Sequence, residues 1–228
     1  MHIRLWGSFV SVVAIATLAA GCTGGSSDLD PGTLLTQSSE TTGQQTSVHV
    51  ELSVEGEVPG FAVQFLEGDL TQIPEVAAAG TADMVVFGQF LEGVQFVVSD
   101  GALWAAISAG GGLTNYGPAS AIYDPAALLD PDAGLATVLA SFSDAADDGR
   151  ETVGGVDSVR ITGLASADAV NQIVPQIGAT DPVPATAWIS VDGDQELMQL
   201  RLEPSPDSSI TITLSKWGEP VIVDKPAG

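Results

Sequence analysis

The clearest pattern in the chain is an alternation of apolar and polar residues that starts at position 46. Val48, Val50 and Leu52 alternate there with polar side chains, which is the period of a half-buried β-strand. Val63 and Phe65 continue the same alternation in a second predicted strand. Three further strands are predicted at residues 82–87, 94–99 and 102–107. The first half of the chain is therefore rich in strands.

The turn signals indicate that these strands are antiparallel. Asp100-Gly101 lies between two predicted strands and is a strong signal for a tight hairpin. Strands return later in the chain at 156–161, 185–191 and 197–202, the last two joined through Asp192-Gly193-Asp194. Ile210, Ile212 and Leu214 alternate in a final strand.

Two segments in the second half have the period of a helix. The first begins at Asp130-Pro131, an N-cap followed by a first-turn proline, and is predicted to end near residues 147–149. The second runs from Ser166 to Pro175 and carries Ala169 on its apolar side. Their apolar stripes contain Leu135, Val138, Leu139 and Phe142 in the first helix, and Val170 and Ile173 in the second.

The order of these elements predicts an α+β fold. One large, curved, antiparallel sheet carries a few helices on one face. A further short helix is predicted between Pro31 and Gln45, with Leu34 and Leu35 as its apolar contacts.

The first 22 residues have the features of a lipoprotein signal. Arg4 precedes an uncharged apolar run of the length of a signal core, and small residues then lead to Cys22. Residues 1–21 are thus predicted to be removed, and lipid on Cys22 holds the protein on the outer, periplasmic face of the cell membrane. Residues 22–45 would contain the tether and the first helix. An ordinary secretory signal and an uncut membrane anchor are the alternatives.

Charge narrows the choice of partners. The chain has 29 acidic and 6 basic residues, a formal net charge of −23. Such a charge repels phosphate backbones and excludes nucleic acid as a partner. It also argues against binding to anionic lipid headgroups through a cluster of basic residues.

Catalytic and metal-binding residues are scarce in the sequence. Cys22 is the only cysteine, and His49 is the only histidine after the predicted signal, on the polar side of a strand. No G-x-S-x-G motif is present. The acidic residues at 192–196 are interpreted as a hairpin turn, and Asp144, Asp147 and Asp148 as a solvated helix end. We therefore expect no catalytic residues, no metal, no cofactor and no enzymatic activity.

Several motifs resemble one known family of proteins. They are LEGDLT at residues 66–71, FVVSDG at 96–101, GPASAIYDPAALLDPDAGLATVLASFSDA at 117–145, SADAVN at 166–171, DPVPATAWI at 181–189 and LSKWGE at 214–219. Together with the segment around Cys22, they resemble the actinobacterial lipoproteins LppX, LprA, LprF and LprG. The likeness spans residues 46–226, whereas residues 23–45 do not match recognisably.

The resemblance implies both a fold and a function. The fold is a half-barrel sheet with helices on its concave face enclosing an apolar cavity, formed by residues 46–228. The cavity would take acyl chains of di- or triacylated lipids, such as phosphatidylinositol mannosides, lipoarabinomannan or triacylglycerol. The protein would carry them across the periplasm towards the outer envelope, with a major-facilitator transporter of the inner membrane as partner.

The apolar faces supply the candidate lining of this cavity, although each residue taken alone more often belongs to a solid core. The sheet contributes Val48, Val50, Leu52, Val63, Phe65, Ala82, Met84, Val86, Phe96 and Val98. The helices contribute Leu135, Val138, Leu139, Phe142, Val170 and Ile173. Two other functions stay open: a scaffold lipoprotein with a solid core that supports a transporter, and a lipoprotein hydrolase.

Overall fold

The computed structural model describes residues 30–107 and 111–226, so the predicted signal peptide and Cys22 lie outside the described residues. Three α-helices are present in these ranges: α1 Pro31–Gly43, α2 Leu135–Ala140 and α3 Ala167–Ile173. The strands are β1 Ser47–Glu55, β2 Val63–Thr71, β3 Ala77–Val86, β4 Gln89–Ser99, β5 Ala102–Ala106, β6 Thr114–Pro118, β7 Ser143–Val153, β8 Val156–Ala165, β9 Val183–Ser190, β10 Leu197–Ser205 and β11 Ser208–Ser215.

All eleven strands belong to one curved antiparallel sheet, which confirms the predicted fold class. Their order is β6-β5-β4-β3-β2-β1-β11-β10-β9-β8-β7. Each half of the sheet is a series of neighbouring strands, and the pairing of β1 with β11 joins the two halves. Within the described ranges, every helix is too short or too polar to span a bilayer.

The inner face of the sheet is the face that the helices cover. Leu52 of β1 lies opposite Ile212 of β11, and both are completely buried in the same core as the helices. The predicted first helix is confirmed as α1, whose Leu34 and Leu35 are buried. Asp30 caps it by accepting a hydrogen bond from the N–H of Thr33 at 3.2 Å. The folded part of the chain therefore includes α1.

Helix α3 agrees with the sequence prediction. Ser166 is its N-cap, and its hydroxyl accepts a hydrogen bond from the N–H of Ala169 at 3.2 Å. The helix ends at Ile173, two residues before Pro175, which begins a short 3₁₀ turn.

The prediction for the other helix is wrong in its extent. Helix α2 has only six residues and starts after Gly134. Asp130 instead closes the preceding turn by accepting hydrogen bonds from the N–H groups of Asp132 and Ala133. The helix ends where the hydroxyl of Ser141 donates to the carbonyl of Val138 at 2.7 Å.

The residues after α2 form strand β7 at the edge of the sheet, not the end of a helix. Asp144, Asp147 and Asp148 therefore lie on this edge strand, which corrects their interpretation as a solvated helix end. Asp148 forms an ion pair with Arg160 of β8 at 2.7 Å. Most of β7 is exposed, so burial imposed no apolar alternation on its sequence. The same holds for the other edge strand, β6, which the alternation did not predict.

Two glycines bring β2 and β3 unusually close on the inner face. Gly68 and Gly80 lie opposite each other, and the 3₁₀ segment Pro125–Leu129 packs against both strands. A Cβ atom on Gly80 would lie 2.0 Å from the carbonyl oxygen of Glu67. Any side chain at this position would force the strands apart.

We therefore expect Gly80→Ala to lower the free energy of unfolding by about 1–3 kcal/mol, the usual effect of overpacking. Gly112→Ala is the control, because a Cβ atom there would have no neighbour within 4 Å among the described residues, and its effect should stay within about 0.5 kcal/mol. Urea unfolding of both variants measures the difference. Equal stability of the two variants would contradict the close approach of the strands.

Candidate functional site

An apolar pocket of about 430 Å³ lies on the inner face of the first half of the sheet. Its floor and sides come from β2, β3, β4 and β5, and a segment that contains Ile122, Tyr123 and Pro125 forms the opposite wall. The residues that line it are aliphatic or aromatic, or are alanine, methionine or proline, and none of them is charged. Its volume falls within the range of about 300–1,000 Å³ that is usual for small-molecule sites.

Five of the residues predicted to line a cavity meet in this pocket. They are Val63, Ala82, Met84, Val86 and Phe96. Ala82 and Met84 share one face of β3 because the strand alternates there. Phe96 of β4 lies opposite Gly80, the preceding inward position of β3.

Most of the other predicted residues lie in a solid part of the same core. From the sheet these are Val48, Val50, Leu52 and Val98. From the helices they are Leu135, Val138, Leu139, Val170 and Ile173. Phe142 lies beyond the end of α2 and packs, partly buried, against this core. In this structure, these residues support the fold and do not line the pocket.

Phe65 lies on the opposite face of the sheet, and its prediction as a lining residue is corrected. Its cross-strand neighbours are Ser53 and Asp83, which also face outward. The cause is an extra residue, Gln64, which breaks the register of β2 between Val63 and Phe65. Leu66 therefore takes the inward position and lines the pocket.

A second bulge, in β4, shifts the pairing of β4 with β3 between Ala82 and Met84. Met84 pairs with Leu91, whereas Ala82 pairs with Val94, so Glu92 and Gly93 together lie opposite one residue of β3. The carboxylate of Asp83 accepts a hydrogen bond from the N–H of Gly93 at 2.7 Å and stabilises this bulge.

The wall opposite the sheet is built around Tyr123. Its ring packs edge-on against Phe61, with 5.2 Å between the ring centroids. Burial raises the pKa of Tyr123, so its hydroxyl stays protonated, and this hydroxyl has no hydrogen-bond partner among the described residues. Burial also raises the pKa of Asp124, whose carboxylate accepts a hydrogen bond from the N–H of Ala126 at 3.1 Å. Sequence motifs included this segment, but no apolar periodicity marked it as a wall.

The mouth of the pocket is formed by exposed apolar side chains. Phe87 is fully exposed at the tip of the β3–β4 hairpin, and Tyr116 of β6 and Ile107 stand at the other side of the opening. The pocket therefore opens at the end of the sheet where the β3–β4 hairpin turns.

The polar residues of the outer face do not form a catalytic triad. Asp69, His49 and Ser215 are neighbours across three strands, and the Nδ1 atom of His49 lies 2.6 Å from Asp69. The Nε2 atom, however, faces Glu67 at 3.5 Å, and no hydrogen bond joins the described His49 and Ser215 side chains. Residues 192–194 lie in the turn between β9 and β10, as predicted. No group of side chains suited to a metal ion occurs in the part of the chain that the structure describes.

Known proteins share both the sequence and the fold of this chain. The lipoarabinomannan carrier protein LprG of Mycolicibacterium smegmatis is 50% identical over 224 residues, which cover 96% of this chain and 94% of that protein. The crystal structure of LprF from Mycobacterium bovis covers 87% of this chain and 97% of its own, with a TM-score of 0.78 and 28% identity. That of the lipoprotein LppX from Mycobacterium tuberculosis covers 84% and 98%, with a TM-score of 0.65 and 29% identity.

The family model named LppX_LprAFG lipoprotein matches residues 30–223. The match begins at the N-cap of α1 and so includes a helix that the sequence motifs left out. It supports the prediction that the chain is not an enzyme. The chain belongs to the LppX_LprAFG lipoprotein family.

Proposed function

We propose that this protein binds acyl chains of lipids or lipoglycans in the apolar pocket and carries them across the periplasm. The apolar lining of the pocket is the observation that supports this proposal most directly. A relative that is 50% identical is named a lipoarabinomannan carrier protein, which favours a lipoglycan as cargo. The proposed partner is a major-facilitator transporter of the inner membrane.

The energetics explain why such a carrier needs a closed apolar space. Exposing two or three long acyl chains to water costs on the order of 20–40 kcal/mol at about 0.8 kcal/mol per methylene. Transfer from the bilayer into an apolar pocket avoids most of this cost, so loading and release are both feasible. No chemical step is required, in keeping with the lack of a catalytic group in the described residues.

The size of the pocket limits how much cargo it takes in this conformation. A volume of 430 Å³ corresponds to about 14 water molecules at about 30 Å³ each. A methylene is similar in size to a water molecule, so the pocket matches one acyl chain. A di- or triacylated lipid would require the wall around Tyr123 to move away from the sheet. The polar headgroup would stay at the mouth.

The pocket is tested by filling it with Ala82→Trp. The indole would project from β3 into the space that an acyl chain needs, so we expect the amount of co-purifying lipid to fall at least about fivefold with the fold retained. The control is Thr81→Trp, at the next position on the exposed outer face, which should bind lipid like the wild type. Mass spectrometry of lipids extracted from the purified proteins is the measurement, and circular dichroism checks folding.

Two outcomes would contradict the carrier function. If wild-type protein neither co-purified with acyl lipid nor took it up from vesicles, the scaffold function would be favoured. If Ala82→Trp bound as much lipid as Thr81→Trp, the lipid would occupy another part of the molecule.

The proposed anchor is tested by Cys22→Ala. Without the thiol no lipid can be attached, so the protein should be released from the membrane fraction or keep its signal peptide. Fractionation of cells, with the mass of the mature protein as a second readout, measures this. Retention in the membrane after cleavage of the signal would contradict lipid anchoring at this residue.

A further inference from the structure

The end of the β3–β4 hairpin is apolar on both of its faces. Residues 84–91 read MVVFGQFL and contain no charge, although the whole chain carries 29 acidic residues. We call this segment the apolar hairpin. Its inner face belongs to the pocket through Met84 and Val86, and Val85 between them also contributes to the lining. A hairpin that is half exposed to water normally has a polar outer face.

The outer face of the apolar hairpin carries a cross-strand pair of apolar residues. Val85 and Phe90 lie directly opposite each other, and 41% and 59% of their surfaces are exposed. The pair contributes little to the core and leaves a substantial apolar surface in water.

The turn of the apolar hairpin also carries an exposed apolar side chain, at a position where a polar residue is usual. Phe87 and Gly88 have φ values of 51° and 75°, a turn that favours Asn-Gly or Asp-Gly. The β4–β5 hairpin has almost the same geometry, with φ values of 55° and 70°, and it uses Asp100-Gly101. A fully exposed phenylalanine with positive φ is therefore unfavourable both for the turn and for solubility. Folding alone does not account for this residue.

This surface is continuous with the mouth of the pocket. Phe87 contributes to the pocket lining, and Ile107 and Tyr116 face it across the opening. All three side chains are exposed to water. An unbroken apolar path thus leads from the tip of the apolar hairpin into the pocket.

We propose that the apolar hairpin inserts into the surface of a lipid bilayer and places the mouth of the pocket directly on the membrane. This inference rests on the proposed carrier function and adds how the cargo enters. An acyl chain can then pass between bilayer and pocket without crossing water. Phe87 and Phe90 enter the acyl region, and Tyr116 lies at the interface, where aromatic side chains with a polar end are favoured.

Charge on both sides of the apolar hairpin sets the depth of insertion. Asp83 and Glu92 flank the uncharged segment and mark where the strands must return to water. Three residue steps separate Met84 from the tip, about 10 Å at about 3.3 Å per residue. This length matches the depth of about 5–10 Å to which apolar faces enter the boundary between headgroups and acyl chains.

The net charge of −23 shows that attraction to anionic headgroups cannot drive this contact. The contact must be apolar, and anionic lipid should weaken it. Added salt should restore binding to anionic vesicles because it screens the repulsion. A basic membrane-binding patch would show the opposite salt dependence.

The insertion is measured with a fluorophore at a single engineered cysteine in the mature, lipid-anchored protein. Cys22 is the only native cysteine and is consumed by the anchor, so Gln89→Cys allows specific labelling beside the turn without removing an apolar side chain. Asp192→Cys, in the β9–β10 turn at the opposite end of the sheet, is the control. Each variant is labelled at its engineered cysteine with an environment-sensitive dye. The labelled proteins are then reconstituted in phosphatidylcholine vesicles.

The dye at position 89 should shift to the blue and be quenched by a quencher attached to lipid acyl chains, and the dye at 192 should not. Equal behaviour of the two sites would overturn the proposal. A blue shift that depends on protein concentration and not on acyl-chain quenchers would also overturn it, because the apolar hairpin would then contact a second copy of the chain.

Phe90→Asp tests whether the insertion serves lipid transfer. Phe90 does not line the pocket, so lipid occupancy of the purified protein should be unchanged. Transfer of a fluorescent phospholipid between vesicles should slow about tenfold or more, the change expected when one buried aromatic contact is lost. Gln95→Asp, which adds the same charge at an exposed position of β4, should transfer lipid like the wild type.

The outcomes separate this inference from the proposed function. If the wild-type protein bound no lipid, the proposed carrier function would be contradicted. If lipid-loaded Phe90→Asp transferred lipid at the normal rate, only the proposed membrane contact would be contradicted. If Phe90→Asp lost its bound lipid as well, the apolar hairpin would act as a wall of the pocket, and the membrane contact would be rejected.

Discussion

The pairing of β1 with β11 holds the two halves of this molecule together. Val50 lies opposite Leu214, and Leu52 opposite Ile212, so the inner face of this ladder is a continuous apolar row. All four residues are buried. Every other strand pair is formed by strands adjacent in sequence. The ladder is therefore the long-range contact on which the sheet, its inner face and the position of the pocket depend.

Both halves of the sheet have an apolar inner face, but one is covered by solid packing and the other borders the pocket. The region around α1, α2 and α3 is packed solidly against the sheet, as in an ordinary core. In the first half, small residues such as Ala82 and Ala105 face a wall that does not fill the space above them. The glycine pair Gly68 and Gly80 lets β2 and β3 approach each other beside the pocket, where the Pro125–Leu129 segment packs on both strands. Both halves thus belong to one continuous core, and the apolar pocket lies in the first half.

The alternation of residues predicted the strands that bury one face, because water on one side and core on the other impose a period of two. It failed for β6 and β7, since edge strands with little burial experience no such constraint. It also misplaced Phe65, because the bulge at Gln64 shifts the phase through the backbone alone. The helical stripe of Leu135, Val138 and Leu139 was correctly predicted to be buried, although the helix is much shorter than predicted.

The location of the pocket was harder to predict than the fold. An apolar side chain that faces a void has the same character in sequence as one that faces a neighbour, so Ala82 and Val48 could not be distinguished. The difference arises from the opposite wall, and Ile122 and Tyr123 lie in a segment without regular period. The resemblance to lipoproteins supplied the idea of a cavity, but only the packing of this wall locates it.

Charge and apolar surface together restrict how such a molecule can meet a membrane. A body with a net charge of −23 is repelled by anionic headgroups over about a Debye length, so an anchor alone would leave its orientation open. Eight residue steps separate Cys22, the proposed site of the anchor, from Asp30, a reach of at most about 28 Å at about 3.5 Å per residue. Among the described residues, the apolar hairpin is an exposed apolar surface that is continuous with the mouth of the pocket. In the proposed membrane contact, charge keeps the acidic body out of an anionic bilayer, and the apolar hairpin turns the mouth of the pocket towards it.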